Sequence, residues 1–246
     1  MHLPVFQLIN YILILIVLIF FIRLMWDVFF DNTYQPAEWK YALKQGKIPK
    51  ILKKMEQHFP DKVRFFNWWF QVDRLRREKI PGDFAEVGVY QGESAKILHH
   101  LDSDRIFHLF DTFSGFPSKD LVGETGAAAT YTSKNFADTS VHKVLDYIRG
   151  NDNIKVYPGY FPDTSNPIVD SRFALVNLDV DLYLPTKAAL DFFYPRLSPG
   201  GVILIHDYNH QWQGVINAVN ALMEKIPESL VLIPDQDGTV MIIRDK

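Results

Sequence analysis

The residues best suited to chemistry stand in two short stretches, Asp179-Val180-Asp181-Leu182-Tyr183 and His206-Asp207-Tyr208-Asn209. Each follows an apolar run, Phe173–Leu178 and Val202–Ile205. Ionisable groups that end buried apolar strands are costly unless they are paired, protonated or neutralised by a cation. If the two strands are neighbours, Asp179, Asp181, His206 and Asp207 converge. An oxygen-rich set with at most one imidazole favours Mg2+ or Mn2+. The plainer alternative is one aspartate capping the next helix and another bonded to a lysine. His100, His108, His142 and His210 lack such a context and read as packing or surface residues.

A second constellation opens earlier, in Glu86-Val87-Gly88-Val89-Tyr90-Gln91-Gly92-Glu93-Ser94. Gly88 and Gly92 let backbone approach a ligand closely, and the helix that follows presents free N–H groups. The spacing is neither the dinucleotide fingerprint G-x-G-x-x-G nor a phosphate-binding loop ending in Gly-Lys-Ser/Thr. An acid before the first glycine would repel a pyrophosphate, yet it suits a ligand with a cationic amine. Asp111 ends the next apolar run, 25 residues after Glu86, where a carboxylate can accept hydrogen bonds from both ribose hydroxyls. Together these features point to S-adenosylmethionine, with Glu86, Gly88, Tyr90, Gly92 and Ser94 around the first turn and Asp111 and Thr112 at the second.

The elements that must position these groups alternate. Strands are expected at 84–89, 106–110, 154–157, 173–178, 202–205, 230–233 and 240–243, and helices at 93–101, 141–148, 186–194 and 214–225. Such alternation predicts an α/β fold, a mostly parallel sheet with helices on both faces. Asp235-Gln236-Asp237-Gly238 joins the last two strands as a hairpin, so one edge is antiparallel. Ser114 to Ser140 reads as a long loop of the kind that forms lids. Upstream, 38–79 reads as two or three helices, with Phe65, Phe66, Trp68, Trp69 and Phe70 packed against the core or facing an acceptor cleft or the membrane interface.

The blocks Gly82–Gly92, Phe110–Pro117, Leu178–Tyr183 and His206–Asn209, with Leu197-Ser198-Pro199-Gly200-Gly201 before the fifth strand, resemble the TylF/MycF (macrocin O-methyltransferase-like) family of class I methyltransferases. The resemblance covers roughly residues 80–246. It implies a Rossmann-like fold, S-adenosylmethionine as methyl donor, and a divalent metal that positions a sugar hydroxyl. On the matching positions Glu86, Gly88 and Asp111 would hold the cofactor. Asp179 would be metal ligand and catalytic base, and Asp207 a second ligand. The family commonly has a pair of aspartates where this chain has His206-Asp207. His206 is then a third ligand, a support for the ligands, or the base of a metal-free site. The rival reading takes Asp179-x-Asp181 as the Asp-x-Asp of a metal-dependent glycosyltransferase or phosphatase, but leaves Glu86, Gly88 and Asp111 unexplained.

Composition narrows the partners. The chain of 246 residues has a formal charge of −3 and no cysteine, so thiolate metal sites, disulfides and cysteine nucleophiles are excluded, and no global basic field proposes nucleic acid. A homo-oligomer is compatible with this composition. From Leu3 to Ile22 no residue is charged, a length that spans a bilayer's hydrocarbon core as helix. The flanks do not suit a cleaved signal peptide, so the segment reads as a single-pass membrane anchor. Residues 40–79 carry twelve Lys/Arg against four Asp/Glu, while 80–246 carry 13 against 22. The positive-inside bias then places the C-terminal bulk in the cytoplasm, with the basic stretch suited to anionic headgroups. Three parts are expected: a membrane anchor and flank at 1–30, a helical juxtamembrane or lid segment at 31–80, and a methyltransferase domain at 81–246.

Overall fold

The computed structural model describes residues 4–30 and 34–246. They fall into two compact units, one ending at Ile48 and one beginning at Pro49. The first holds α1 (Val5–Phe30) and α2 (Ala37–Lys44). Within α1, Val5–Trp26 is a 22-residue stretch of mean hydropathy 2.8, none of it buried. By length and composition it can cross a membrane, since at about 1.5 Å per residue it spans about 33 Å.

The second unit begins with α3 (Lys50–His58) and α4 (Lys62–Arg77). Asp61 caps α4, its Oδ1 accepting the Arg64 N–H at 2.9 Å, and Arg74, Arg76 and Arg77 occupy the last turn, where cations favour the helix dipole. The apolar side chains Phe65, Phe66, Trp68, Val72 and Leu75 are all 2 % exposed or less, so most of the aromatic group is core. Lys62 and Glu56 form a buried ion pair that ties the two helices together.

Alternation then follows: β1 (Asp83–Val87), α5 (Glu93–Leu101), β2 (Phe107–Asp111), α6 (Val141–Ile148), β3 (Ile154–Pro158), β4 (Phe173–Leu178), α7 (Tyr183–Phe193), β5 (Leu197–Ile205), α8 (Gln213–Met223), β6 (Val231–Leu232) and β7 (Val240–Ile243). The seven strands form one sheet in the order β3-β2-β1-β4-β5-β7-β6. Only β7 runs antiparallel to its neighbours, β5 and β6. Every residue of β4 is buried, as expected for a central parallel strand covered on both faces. Phe110, Phe161, Phe173 and Phe193 fill one face of the core beside it. On α8 the buried Val215, Ala218, Val219 and Leu222 recur at helical spacing.

Most boundaries shift by one or two residues from the sequence reading, and two starts shift further for local reasons. α7 starts at Tyr183 because Pro185 falls in its first turn, where a missing N–H costs nothing. β5 starts at Leu197 because Leu197 pairs with Phe173 ahead of a register shift that absorbs Pro199-Gly200. The segment from Ser114 to Ser140 is not structureless. It contains 3-10 turns at Ser118–Leu121 and Ala128–Thr130.

Candidate active site

The register sets the site. Val87 lies opposite both Phe110 and Leu178, and Leu178 opposite Ile205. The next residues along β1, β2, β4 and β5 are Gly88, Asp111, Asp179 and His206, so all four emerge side by side at the carboxyl edge, where ligands of such sheets bind. A cavity of about 870 Å³ opens there, within the usual range for small-molecule sites.

At the β1 end the backbone is shaped by contact. A Cβ on Gly88, at φ +84°, would lie 1.8 Å from the Asp179 carbonyl oxygen, so only glycine fits. The Asp111 carboxylate knits the loops together. Its Oδ2 accepts N–H groups from Val89 at 2.7 Å and Tyr90 at 2.8 Å, and its Oδ1 accepts the Phe113 N–H at 2.7 Å. A carboxylate offers about four lone-pair directions, so about one remains for a ribose hydroxyl. Tyr90 and Phe113 are held at positive φ, as are Asp181 and Asp207 at the other strand ends. Non-glycine residues adopt this geometry at a cost of about 1–2 kcal/mol, and such strain clusters at functional sites.

Of the sequence-derived cofactor residues, Gly88, Tyr90, Ser94, Asp111 and Thr112 line the cavity, whereas Glu86 and Gly92 stand behind its wall. Glu86 is fully buried and accepts the Asn177 Nδ2–H at 2.7 Å, while Trp68 Nε1 donates to Asn177 Oδ1 at 3.3 Å. Burial pushes the Glu86 carboxyl up to about 8. Its placement makes it a neutral support of the strand end at neutral pH rather than an exposed charge facing an amine. Gly92 forms the left-handed N-cap of α5.

Asp179, His206 and Asp207 come together as the sequence reading expected. His206 Nδ1 lies 3.1 Å from Asp179 Oδ1 and 3.1 Å from Asp207 Oδ1. Asp179 Oδ2 accepts the Arg64 Nη2–H at 2.7 Å. Burial alone would raise the Asp179 carboxyl, but His206 and Arg64 outweigh it and hold Asp179 well below the usual carboxylate range. Burial would likewise lower His206, yet Asp179 and the two hydrogen bonds raise it to about 10, so the ring carries a proton. Asp181 is pushed up by burial and by the charges of Asp207 and Asp179, and it bonds to Asp207. The ligand atoms of Asp179, His206 and Asp207 lie within 4.8 Å of one another, close enough to share one metal ion. Two carboxylates and an imidazole suit Mn2+ better than the oxygen-only set Mg2+ prefers.

Sequence reading singled out neither Arg64 nor the aromatic wall of this end, Phe59 and Trp212. Trp68, in the aromatic group it had read as core or cleft, is both: 1 % exposed and lining the cavity. Arg64 lies over the Trp68 ring, 5.1 Å from its centroid. The segment before α6 closes another side. Glu124 Oε1 accepts the Tyr183 N–H at 2.7 Å, the Ala127 N–H donates to the Gln211 carbonyl at 2.9 Å, and Trp212 Nε1 donates to the Tyr131 hydroxyl at 3.3 Å.

A seven-stranded sheet of this order, carrying a glycine turn and an acid at its first two strand ends, defines a Rossmann-like methyltransferase fold. The profile described as macrocin O-methyltransferase (TylF) matches residues 60–240, and the chain belongs to that family. Membership sets aside the glycosyltransferase or phosphatase reading of Asp179-x-Asp181. Among curated relatives, an 8-demethyl-8-(2,3-dimethoxy-alpha-L-rhamnosyl)-tetracenomycin-C 4'-O-methyltransferase of Streptomyces olivaceus is 33% identical over 159 residues, covering 59% of this chain and 60% of that protein. Mycinamicin III 3''-O-methyltransferase of Micromonospora griseorubida is 32% identical over 159 residues, 56% of this chain and 59% of its own. The chain thus spans about 60% of the length of the curated relatives it matches. The O-methyltransferase NovP superposes with a TM-score of 0.65 at 26% identity, covering 75% of this chain and 81% of that one.

Proposed function

We propose that this protein is a membrane-anchored O-methyltransferase that transfers the methyl group of S-adenosylmethionine to a sugar hydroxyl, on a glycan or a nucleotide sugar. The observation that carries the reading is the single cavity reaching from the Gly88 and Asp111 turns to the Asp179, His206 and Asp207 cluster. One ligand-shaped end and one acid–base end open into the same space. Relatives named for methylation of sugar-bearing compounds support the acceptor class, and solved O-methyltransferases of this fold, one in complex with S-adenosylhomocysteine, support the donor.

In this reading Gly88, Tyr90, Ser94, Asp111 and Thr112 receive the cofactor, with Glu86 and Gly92 holding the turn from behind. The acceptor hydroxyl meets the cofactor at Asp179. As its oxygen attacks the methyl carbon, the carbon–sulfur bond breaks with its electrons returning to sulfur, and the hydroxyl proton passes to the Asp179 carboxylate. Asp179 is one quarter exposed to the cavity, so the acceptor hydroxyl can reach it, and it takes the proton once Arg64 releases its Oδ2. Protonated His206 orients that carboxylate. Asp179 and Asp207, joined by His206 once its ring gives up its proton, would hold a divalent cation, Mg2+ or Mn2+, which would polarise the hydroxyl. Phe59, Trp68 and Trp212 offer apolar faces to a sugar ring. α1 anchors the chain in the membrane with the catalytic unit in the cytoplasm, where the methyl donor is made.

The test uses the full chain in detergent. Calorimetry should show S-adenosylmethionine binding, and Asp111→Ala should weaken it by roughly 10- to 150-fold, the loss of one charge-assisted hydrogen bond. Asp179→Asn should abolish methylation of a sugar acceptor while leaving donor affinity nearly unchanged. Mass spectrometry of surface glycans and sugar nucleotides, with and without the gene, should reveal the acceptor as the species that loses one methyl group. Binding of a nucleotide sugar without S-adenosylmethionine binding would overturn the reading.

A further inference from the structure

The Asp179 carboxylate already has a cation on it. Arg64 Nη2 donates to Oδ2 at 2.7 Å, and His206 Nδ1 donates to Oδ1 at 3.1 Å, so both oxygens are engaged by positively charged donors. Arg64 is placed there by construction. It sits in the first turn of α4, its own N–H held by the Asp61 Oδ1, while Asp61 Oδ2 accepts the Gln236 N–H at 2.8 Å from the loop joining β6 and β7. The guanidinium rests on the Trp68 ring and its side chain is 12% exposed. Among the described residues no other Lys or Arg pairs with Asp179, Asp181 or Asp207.

We propose that Arg64 is the resident cation of this site and competes with a divalent metal for Asp179. This rests on the metal reading given above. A guanidinium and a divalent ion on one partly buried carboxylate repel each other strongly, because the surrounding protein screens charge far less than water does. Arg64 therefore holds Asp179 in place when no metal is bound, and it must release Oδ2 for a metal to bind there. The consequence is a metal affinity set by a residue that touches no metal. His206, an imidazole between the carboxylates of Asp179 and Asp207, adds no negative charge to hold a metal and acts in the same direction.

The experiment is a titration of the full chain in detergent with Mn2+ alone, read as free Mn2+ by electron paramagnetic resonance, without donor or acceptor. Arg64→Gln should bind Mn2+ about tenfold or more tightly than the wild type, the reverse of losing one charge-assisted hydrogen bond. Asp179→Asn should remove binding in either background. Unchanged S-adenosylmethionine affinity checks that the variant is folded. If Arg64→Gln does not fold, Arg64→Met decides: it keeps an unbranched stem against Trp68 without the charge, so tighter binding than wild type supports the competition and equal binding overturns it. Equal Mn2+ affinity in wild type and Arg64→Gln, lost in Asp179→Asn, overturns the Arg64 proposal and leaves the metal reading standing. No Mn2+ binding by any of these proteins overturns both.

Discussion

At the scale of single residues the site is governed by where charge is allowed to be. Glu86 has no access to solvent, and burial raises its carboxyl from an ordinary 4.5 to about 8. The folded state thus holds a proton that the unfolded chain gives up near pH 4.5. Stability from this group is full below pH 4.5, falls as pH rises toward 8, and levels off above it. Glu86→Gln keeps an oxygen for the Asn177 Nδ2–H and has no proton to lose. It should stabilise the protein at pH 8 and flatten the decline between pH 5 and 8, as read by urea unfolding at a series of pH values. An unaltered pH profile would show that Glu86 ionises normally. Sequence alone placed the acids at the strand ends because apolar runs leave their flanking residues nowhere else to point. It could not show that Glu86 turns inward while Asp111 spends three acceptor sites on Val89, Tyr90 and Phe113. Nor could it find Arg64, whose partner lies 115 residues away and which stands in a stretch already rich in basic residues.

At the scale of elements, period and punctuation were informative where packing is regular. β4 and β7 occupy the ranges expected, and the hairpin at residues 235–238 gives the antiparallel edge. Information ran out where tertiary contacts replace backbone repetition, most plainly between Ser114 and Ser140. Small residues and glycines leave no periodic trace there, yet Phe116, Tyr131 and Phe136 form an aromatic group with Tyr90. The segment also bonds to Tyr183, Gln211 and Trp212. These partners lie in loops and at the first residue of α7 around the cavity, the arrangement expected of a lid with a low local opening cost. Lys119 and Lys134 flank the exposed Val122 and offer sites for trypsin. Cleavage at these positions should slow severalfold once S-adenosylhomocysteine and an acceptor are bound. Equal rates with and without ligands would make the segment a fixed wall of the site.

At the scale of the whole chain, the division of charge bears on where the protein works. The total of −3 conceals a basic stretch at 40–79 and an acidic remainder. Composition shows that division completely, because charge is additive along a chain and needs no fold to be read. α1 exposes its apolar side chains throughout Val5–Trp26, which water would penalise at about 25 cal/mol for each Å² of apolar surface. A bilayer removes that penalty for a helix of this length. With Arg23 near the C-terminal end of this stretch and the basic stretch beyond it, the positive-inside bias predicts that the following unit stays in the cytoplasm. Orientation is therefore open to direct measurement with two C-terminal fusions, alkaline phosphatase, active only after export, and a fluorescent protein that matures only in the cytoplasm. The fluorescent fusion should be bright and membrane-bound, and the phosphatase fusion inactive. Replacing Arg23 and the basic residues nearest the span by glutamine should raise the phosphatase signal, because the retaining charges are gone. High phosphatase activity in the unaltered chain would put the catalytic unit on the side of the membrane that lacks a supply of S-adenosylmethionine. The activity proposed for it would then have to be abandoned, whatever the fold allows.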